Sequence, residues 1–214
     1  MEEEKKYNNL DQEKEISELH ELDFSLKYSY SNYLKWMFSE RVELIRGQIV
    51  EMCAPSLTHQ RVLLRLAVKF QQALAGCACE VFLAPFDVRL PKGSTSDKDV
   101  FTVVQPDICI VCDHGKIEER GCIGAPDMIV EILSPGNDKK DFIVKYGLYQ
   151  EFAVKEYIVI DLKRKMIIQH ILNENGQYDG KAYSGNKKFT SAFLPGFSLS
   201  PDQLFFNEAV VRQN

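Results

Sequence analysis

One segment limits the fold more than any other: MIVEIL at residues 128–133, closed by SPGN at 134–137. Unbroken apolar character over a strand's length suits a central strand covered on both faces. A helix over about Asp138–Phe152 and a second strand-like run, EYIVIDL at 156–162, follow it. MIIQHIL at 166–172 and a weaker strand near Tyr178–Tyr183 extend the pattern. Upstream, Tyr30–Phe38 has helical spacing with Ser29 or Ser31 as a cap. VELI and QIVEM flank Arg46-Gly47, a two-residue hairpin signal. An amphipathic helix begins at Ser56 or Thr58 and runs to about Ala75. Strand material then occupies Cys79–Leu90, broken by Pro85, and both FTVV and DICIVC around Pro106, before a glycine-containing loop at His114–Ala125. The order predicts an α/β (α+β) fold, a mixed β-sheet flanked by helices with an N-terminal helix and hairpin.

The 214 residues carry 26 Lys+Arg against 31 Asp+Glu, a net charge of −5 that leans against a nucleic-acid partner. That charge is unevenly placed. Residues 1–23 hold nine acids and three lysines, leaving 23 bases against 22 acids for the remainder, a net +1. Residues 1–27 therefore read as an acidic, flexible leader, and 28–214 as a single domain. No apolar run reaches the roughly 18–20 residues that span a bilayer, and MEEEKK is no secretory signal, so the expectation is a cytoplasmic protein without a membrane partner. The six cysteines are expected to be thiols.

Two Pro-Asp dipeptides open strands, Pro106-Asp107 and Pro126-Asp127. Glu131 lies inside the MIVEIL run, where a buried carboxylate costs several kcal/mol unless paired or metal-bound. A half-exposed strand position or a salt bridge to a helix lysine would also explain it. With Asp107 on an adjacent strand, the two carboxylates could instead converge on Mg²⁺, which prefers one or two carboxylates plus waters.

The ordered series VELIRGQIVEM, HQ, QPDICIV, GAPDMIVEILSP and EYIVID, ending in LPGFSLSPDQLF, resembles the Uma-type restriction endonucleases of the PD-(D/E)xK superfamily over about residues 30–206. The resemblance implies a restriction-endonuclease-like fold and Mg²⁺-dependent hydrolysis of DNA, with Mn²⁺ able to substitute. It implies Asp107 and Glu131 as metal ligands, with Glu43 completing the acidic cluster. The superfamily's lysine would fall at Leu133, where this chain departs from the pattern. Its replacement would be Lys145 on the following helix, whose spacing places it with Asp141 and Tyr149 on one face. A surface ion pair between Asp141 and Lys145 accounts for the same spacing. His59 and Gln60 match the family as a phosphate contact or proton shuttle, and a capping histidine is the alternative. Arg61, Arg65 and Lys69 form a basic ridge for phosphates, or a solvated helix face. By fold analogy the protein is expected to be a homodimer. The missing lysine at Leu133 keeps a second reading open, a non-catalytic nucleic-acid-binding or protein-interaction module.

Overall fold

A computed structural model describes residues 15–133 and 138–205, the side chains of 138–141 lying outside that set. The described residues form two compact units, one from residues 15–54, 86–105 and 117–124, the other from 55–85, 106–116, 125–133 and 138–205.

In the first unit a six-stranded sheet has the order β2-β1-β5-β4-β8-β7. Its strands are β1 (Val42–Ile45), β2 (Gln48–Glu51), β4 (Asp87–Arg89), β5 (Val103–Val104), β7 (Ile117–Glu118) and β8 (Gly121–Ile123). The expected hairpin is there. Arg46 and Gly47 both take positive φ, 54° and 83°, which a two-residue turn matched to strand twist requires. The expected helix shortens to one turn, α1 (Tyr30–Tyr33), because its aromatic residues find tertiary partners instead of continuing the spiral. Trp36 packs on Tyr33 and Phe38 and pairs as an isolated bridge with Ile16. Leu22, Tyr28, Tyr30 and Leu44 are buried in the same cluster, with Ile16, Leu19 and Leu26 against it.

The second unit has a six-stranded sheet ordered β12-β11-β10-β9-β6-β3. Its strands are β3 (Glu80–Leu83), β6 (Ile108–Val111), β9 (Met128–Leu133), β10 (Glu156–Asp161), β11 (Met166–Leu172) and β12 (Tyr178–Ser184). MIVEIL is a central strand, as its apolar continuity required. It pairs antiparallel with β6 and parallel with β10. The parallel pair needs a crossover, and α3 (Asp138–Glu151) supplies it. Alternation along β9 sends Met128, Val130 and Ile132 into a core built with α2 (Leu57–Ala73). Ser56 caps α2, its hydroxyl accepting the His59 amide, and Val62, Leu66 and Phe70 form the buried stripe. Phe70 stacks on Phe197 at 4.6 Å between ring centroids. A small hairpin, β13 (Phe189–Thr190) with β14 (Ser198–Leu199), and a one-turn α4 (Pro201–Leu204) complete the unit.

Three expectations need correction. The strands divide between two six-stranded sheets, β3 and β4 going to different ones across Ala84-Pro85. The predicted loop at 114–125 contains the β7–β8 hairpin. The cysteines are not all thiols, since Cys79 and Cys112 are joined as a disulfide beside the Glu80↔Val111 register pair. Cys109 and Cys122 are buried thiols, whereas Cys53 and Cys77 are exposed. No helix among the described residues is long and apolar enough to cross a membrane.

Candidate active site

Asp107 immediately precedes β6, and Glu131 lies on the neighbouring β9, both in the second unit. The β6–β9 ladder stops at Ile108↔Val130. Beyond it, the amide of Ile132 donates to Asp107 Oδ2 at 2.7 Å, so the carboxylate takes the place of a ladder partner. This holds the Asp107 head group beside the backbone of the residue following Glu131. The second contact on Oδ2 is His59 Nε2 at 3.1 Å. His59 Nδ1 is buried without a hydrogen-bond partner among the described residues, so a proton on that nitrogen would have no acceptor there. The ring therefore carries its proton on Nε2 and donates it to Asp107, a tautomer assigned from the network. Both donors fall on Oδ2, which leaves Oδ1 available. The Asp107 side chain keeps 18% of its accessible surface.

Glu131 points away from the Met128, Val130 and Ile132 side of β9, toward α3. Its Oε1 accepts Lys145 Nζ at 2.9 Å and the Tyr149 hydroxyl at 2.7 Å. The carboxylate and the ammonium are 11% and 13% exposed. The i, i+4 spacing of Lys145 and Tyr149 delivers both donors to one oxygen, which offsets the cost of removing the charges from water. Around this pair the face of the sheet is aromatic. Tyr157 packs edge-on against Tyr149, and His170 stacks on Tyr157. Burial pushes the His170 imidazole below its ordinary range and the Tyr178 phenol above its own, so both are neutral packing groups near pH 7.

The remaining candidates fall as follows. His59 is buried and tied to Asp107, a partner 48 residues away that its helical position alone could not indicate. Gln60 is exposed. On the basic ridge, Arg61 is exposed, Lys69 is half-buried, and Arg65 donates to the Leu204 carbonyl at 3.0 Å. Part of that ridge thus fastens α4 to α2. The side chain of Asp141 lies outside the described residues. Asp127 of the second Pro-Asp dipeptide accepts the Cys112 amide and Lys155 Nζ, a structural role. Glu43 belongs to the first unit and is 2% exposed, its Oε1 accepting the Gln105 amide at 2.8 Å. Gln105 also links Arg41 and Asp87, and Asp87 accepts the Tyr30 hydroxyl. Burial, reinforced by the Asp87 charge, raises the Tyr30 and Tyr33 phenols above their usual range, so both stay hydrogen-bond donors.

The residue that sequence reasoning left without a role is Tyr149. Its signal was the i+4 step from Lys145. The donor chemistry suits a hard cation. Among the described residues no group of three His, Cys, Asp or Glu side chains could hold a metal. Two carboxylates are the complement that Mg²⁺ accepts while keeping several waters, so the residues present fit that ion better than a closed zinc cage.

A family model, Uma2, with the description "Putative restriction endonuclease", matches residues 31–202. Uncharacterized protein slr1290 of Synechocystis sp. is 27% identical over 182 residues, covering 84% of this chain and 92% of that protein. Uncharacterized protein sll1609 of the same organism is 24% identical over 126 residues, covering 58% and 67% respectively. The crystal structure of "a putative nuclease belonging to DUF820" from Anabaena variabilis superposes with a TM-score of 0.66 at 19% identity. It covers 83% of this chain and 97% of its own, so the two share a fold.

Proposed function

This chain belongs to the Uma2 family, described as putative restriction endonucleases, and from that premise we propose that it hydrolyses phosphodiester bonds in DNA with Mg²⁺ as cofactor. The observation that carries the reading is the Lys145–Glu131 contact of 2.9 Å next to a fixed Asp107. It supplies from α3 the ammonium that Leu133 cannot supply from β9.

In this account Asp107 and Glu131 are the metal ligands, and Mn²⁺ substitutes for Mg²⁺. When bound, the ion would lower the pKa of a water and offset charge on the phosphoryl oxygens. His59 and the Ile132 amide hold Asp107 Oδ2 and leave Oδ1 to face a ligand. Tyr149 keeps Glu131 from rotating out of line. Lys145 orients the attacking water or stabilises the charge of the pentacovalent phosphorus. Arg61 and Lys69 meet the DNA backbone, the protein working as a cytoplasmic homodimer.

The test is direct. The purified chain with supercoiled plasmid and Mg²⁺ should yield nicked or linear DNA, Mn²⁺ should restore cleavage after stripping, and EDTA should stop it. A chain that binds DNA equally with and without Mg²⁺ and never cleaves it would favour the non-catalytic module that Leu133 suggests.

A further inference from the structure

The first unit carries an open cleft of about 720 Å³, within the range of binding sites. Its floor is apolar, formed by Leu19, Phe24, Met37 and Phe38. Two of these are unusually bare for side chains of their type, Met37 at 67% and Phe24 at 43% exposure. The rim is acidic: Glu18, Glu40 and Glu51 line it, and among the described residues no lysine or arginine does. Among the described residues His20 is the one imidazole at the edge, 3.1 Å from Glu18.

We propose that this cleft docks a basic peptide segment of a partner protein, with apolar side chains seated on Phe24 and Met37 and lysines or arginines meeting Glu40 and Glu51. Charge complementarity selects that occupant. Three carboxylates around an apolar floor repel a phosphate backbone, so DNA does not fit here. They leave a neutral apolar segment no counterpart for the rim. The apolar floor contributes most of the affinity, since exposed ion pairs contribute little each. The carboxylates set orientation, selectivity and association rate. The inference is independent of the nuclease reading, because a catalytically silent chain would dock the same segment.

The experiment uses the full chain and a short dye-labelled peptide alternating lysine with leucine, followed by fluorescence anisotropy. Binding should weaken several-fold as salt rises from about 50 mM to about 500 mM. The Glu40→Gln/Glu51→Gln double variant should weaken it by roughly tenfold, about threefold per exposed carboxylate. Met37→Ser should weaken it too, and tests the floor even if the double variant folds poorly by circular dichroism. The same peptide with acetylated lysines should not bind. Absence of binding, equal binding of the acetylated peptide, or unchanged affinity in both variants would overturn the proposal. Displacement of the peptide by hexyltrimethylammonium at equal concentration would also overturn it, assigning the cleft to a small organic cation.

Discussion

Glu131→Gln is expected to abolish phosphodiester cleavage while the fold stays in place. The amide keeps the size of the carboxylate and can still accept from Lys145 and Tyr149, which hold Oε1 at 2.9 and 2.7 Å. What disappears is the negative charge, and with it one of the two proposed hard ligands. Loss of one charge-stabilising group in such a site typically costs about 10²- to 10³-fold in rate, and loss of a metal ligand falls at the upper end or beyond. Glu131→Ala is the poorer experiment. It takes away the carboxylate that the Lys145 ammonium, 13% exposed, contacts at 2.9 Å and leaves a cavity, which adds destabilisation to any catalytic effect. Plasmid cleavage and a thermal melt, measured on the same Glu131→Gln preparation, separate the two causes. Wild-type cleavage by this variant would remove Glu131 from the reaction.

The largest effect on stability is expected at Glu156, far from the metal question in kind. It opens β10, is 1% exposed, and has no basic side chain among its partners in the described residues. Four donors converge on it instead. Gln169 Nε2 and the Ala192 amide reach Oε1, and the Ser191 hydroxyl and the Phe193 amide reach Oε2. The carboxylate thereby ties the central sheet to the segment between β13 and β14. Glu156→Ala takes the acceptor from the Ser191 hydroxyl and the Ala192 N–H, while the Gln169 amide keeps only the Thr190 carbonyl and the Phe193 N–H only Ser191 Oγ. Each such group costs about 1–3 kcal/mol when unsatisfied, and partial rehydration brings the sum to roughly 3–5 kcal/mol. At about 2–4 °C per kcal/mol for a chain of this size, the melting temperature should fall by roughly 10 °C or more. Urea unfolding reads the same quantity. A loss below about 1 kcal/mol would mean that the four hydrogen bonds contribute no net stability. Cleavage per folded molecule should be unchanged, which distinguishes this carboxylate from Glu131.

Both carboxylates were visible as acids in strand-like runs, yet only one drew attention from sequence. MIVEIL encloses Glu131 in apolar residues, and continuity of that kind reports burial directly. EYIVID places Glu156 at the edge of its run, where a solvated end is the ordinary reading. Its four donors come from residues 169 and 191–193, brought together only by the fold. The same limit hid the Cys79–Cys112 pairing. Strand register is a long-range property, and nothing local says that β3 lies against β6 so that these two cysteines meet. By contrast, hairpin chemistry at Arg46-Gly47 and the stripe of α2 are local signals, and both elements appear where periodicity puts them. Helical spacing failed for Tyr30–Phe38 because aromatic residues so placed serve equally well to pack a turn against a sheet. Within the candidate site, the step from Lys145 to Tyr149 was legible, and a helix lysine paired with Glu131 was one of the alternatives open in sequence, but that Tyr149 shares the same carboxylate oxygen was not.

The central claim is that Asp107 and Glu131 hold one ion together, and Mn²⁺ titration of the full chain by calorimetry tests it most directly. The account predicts about one Mn²⁺ per chain for the wild type, and loss of that binding in both Asp107→Asn and Glu131→Gln. Wild-type stoichiometry and affinity in both variants would contradict it.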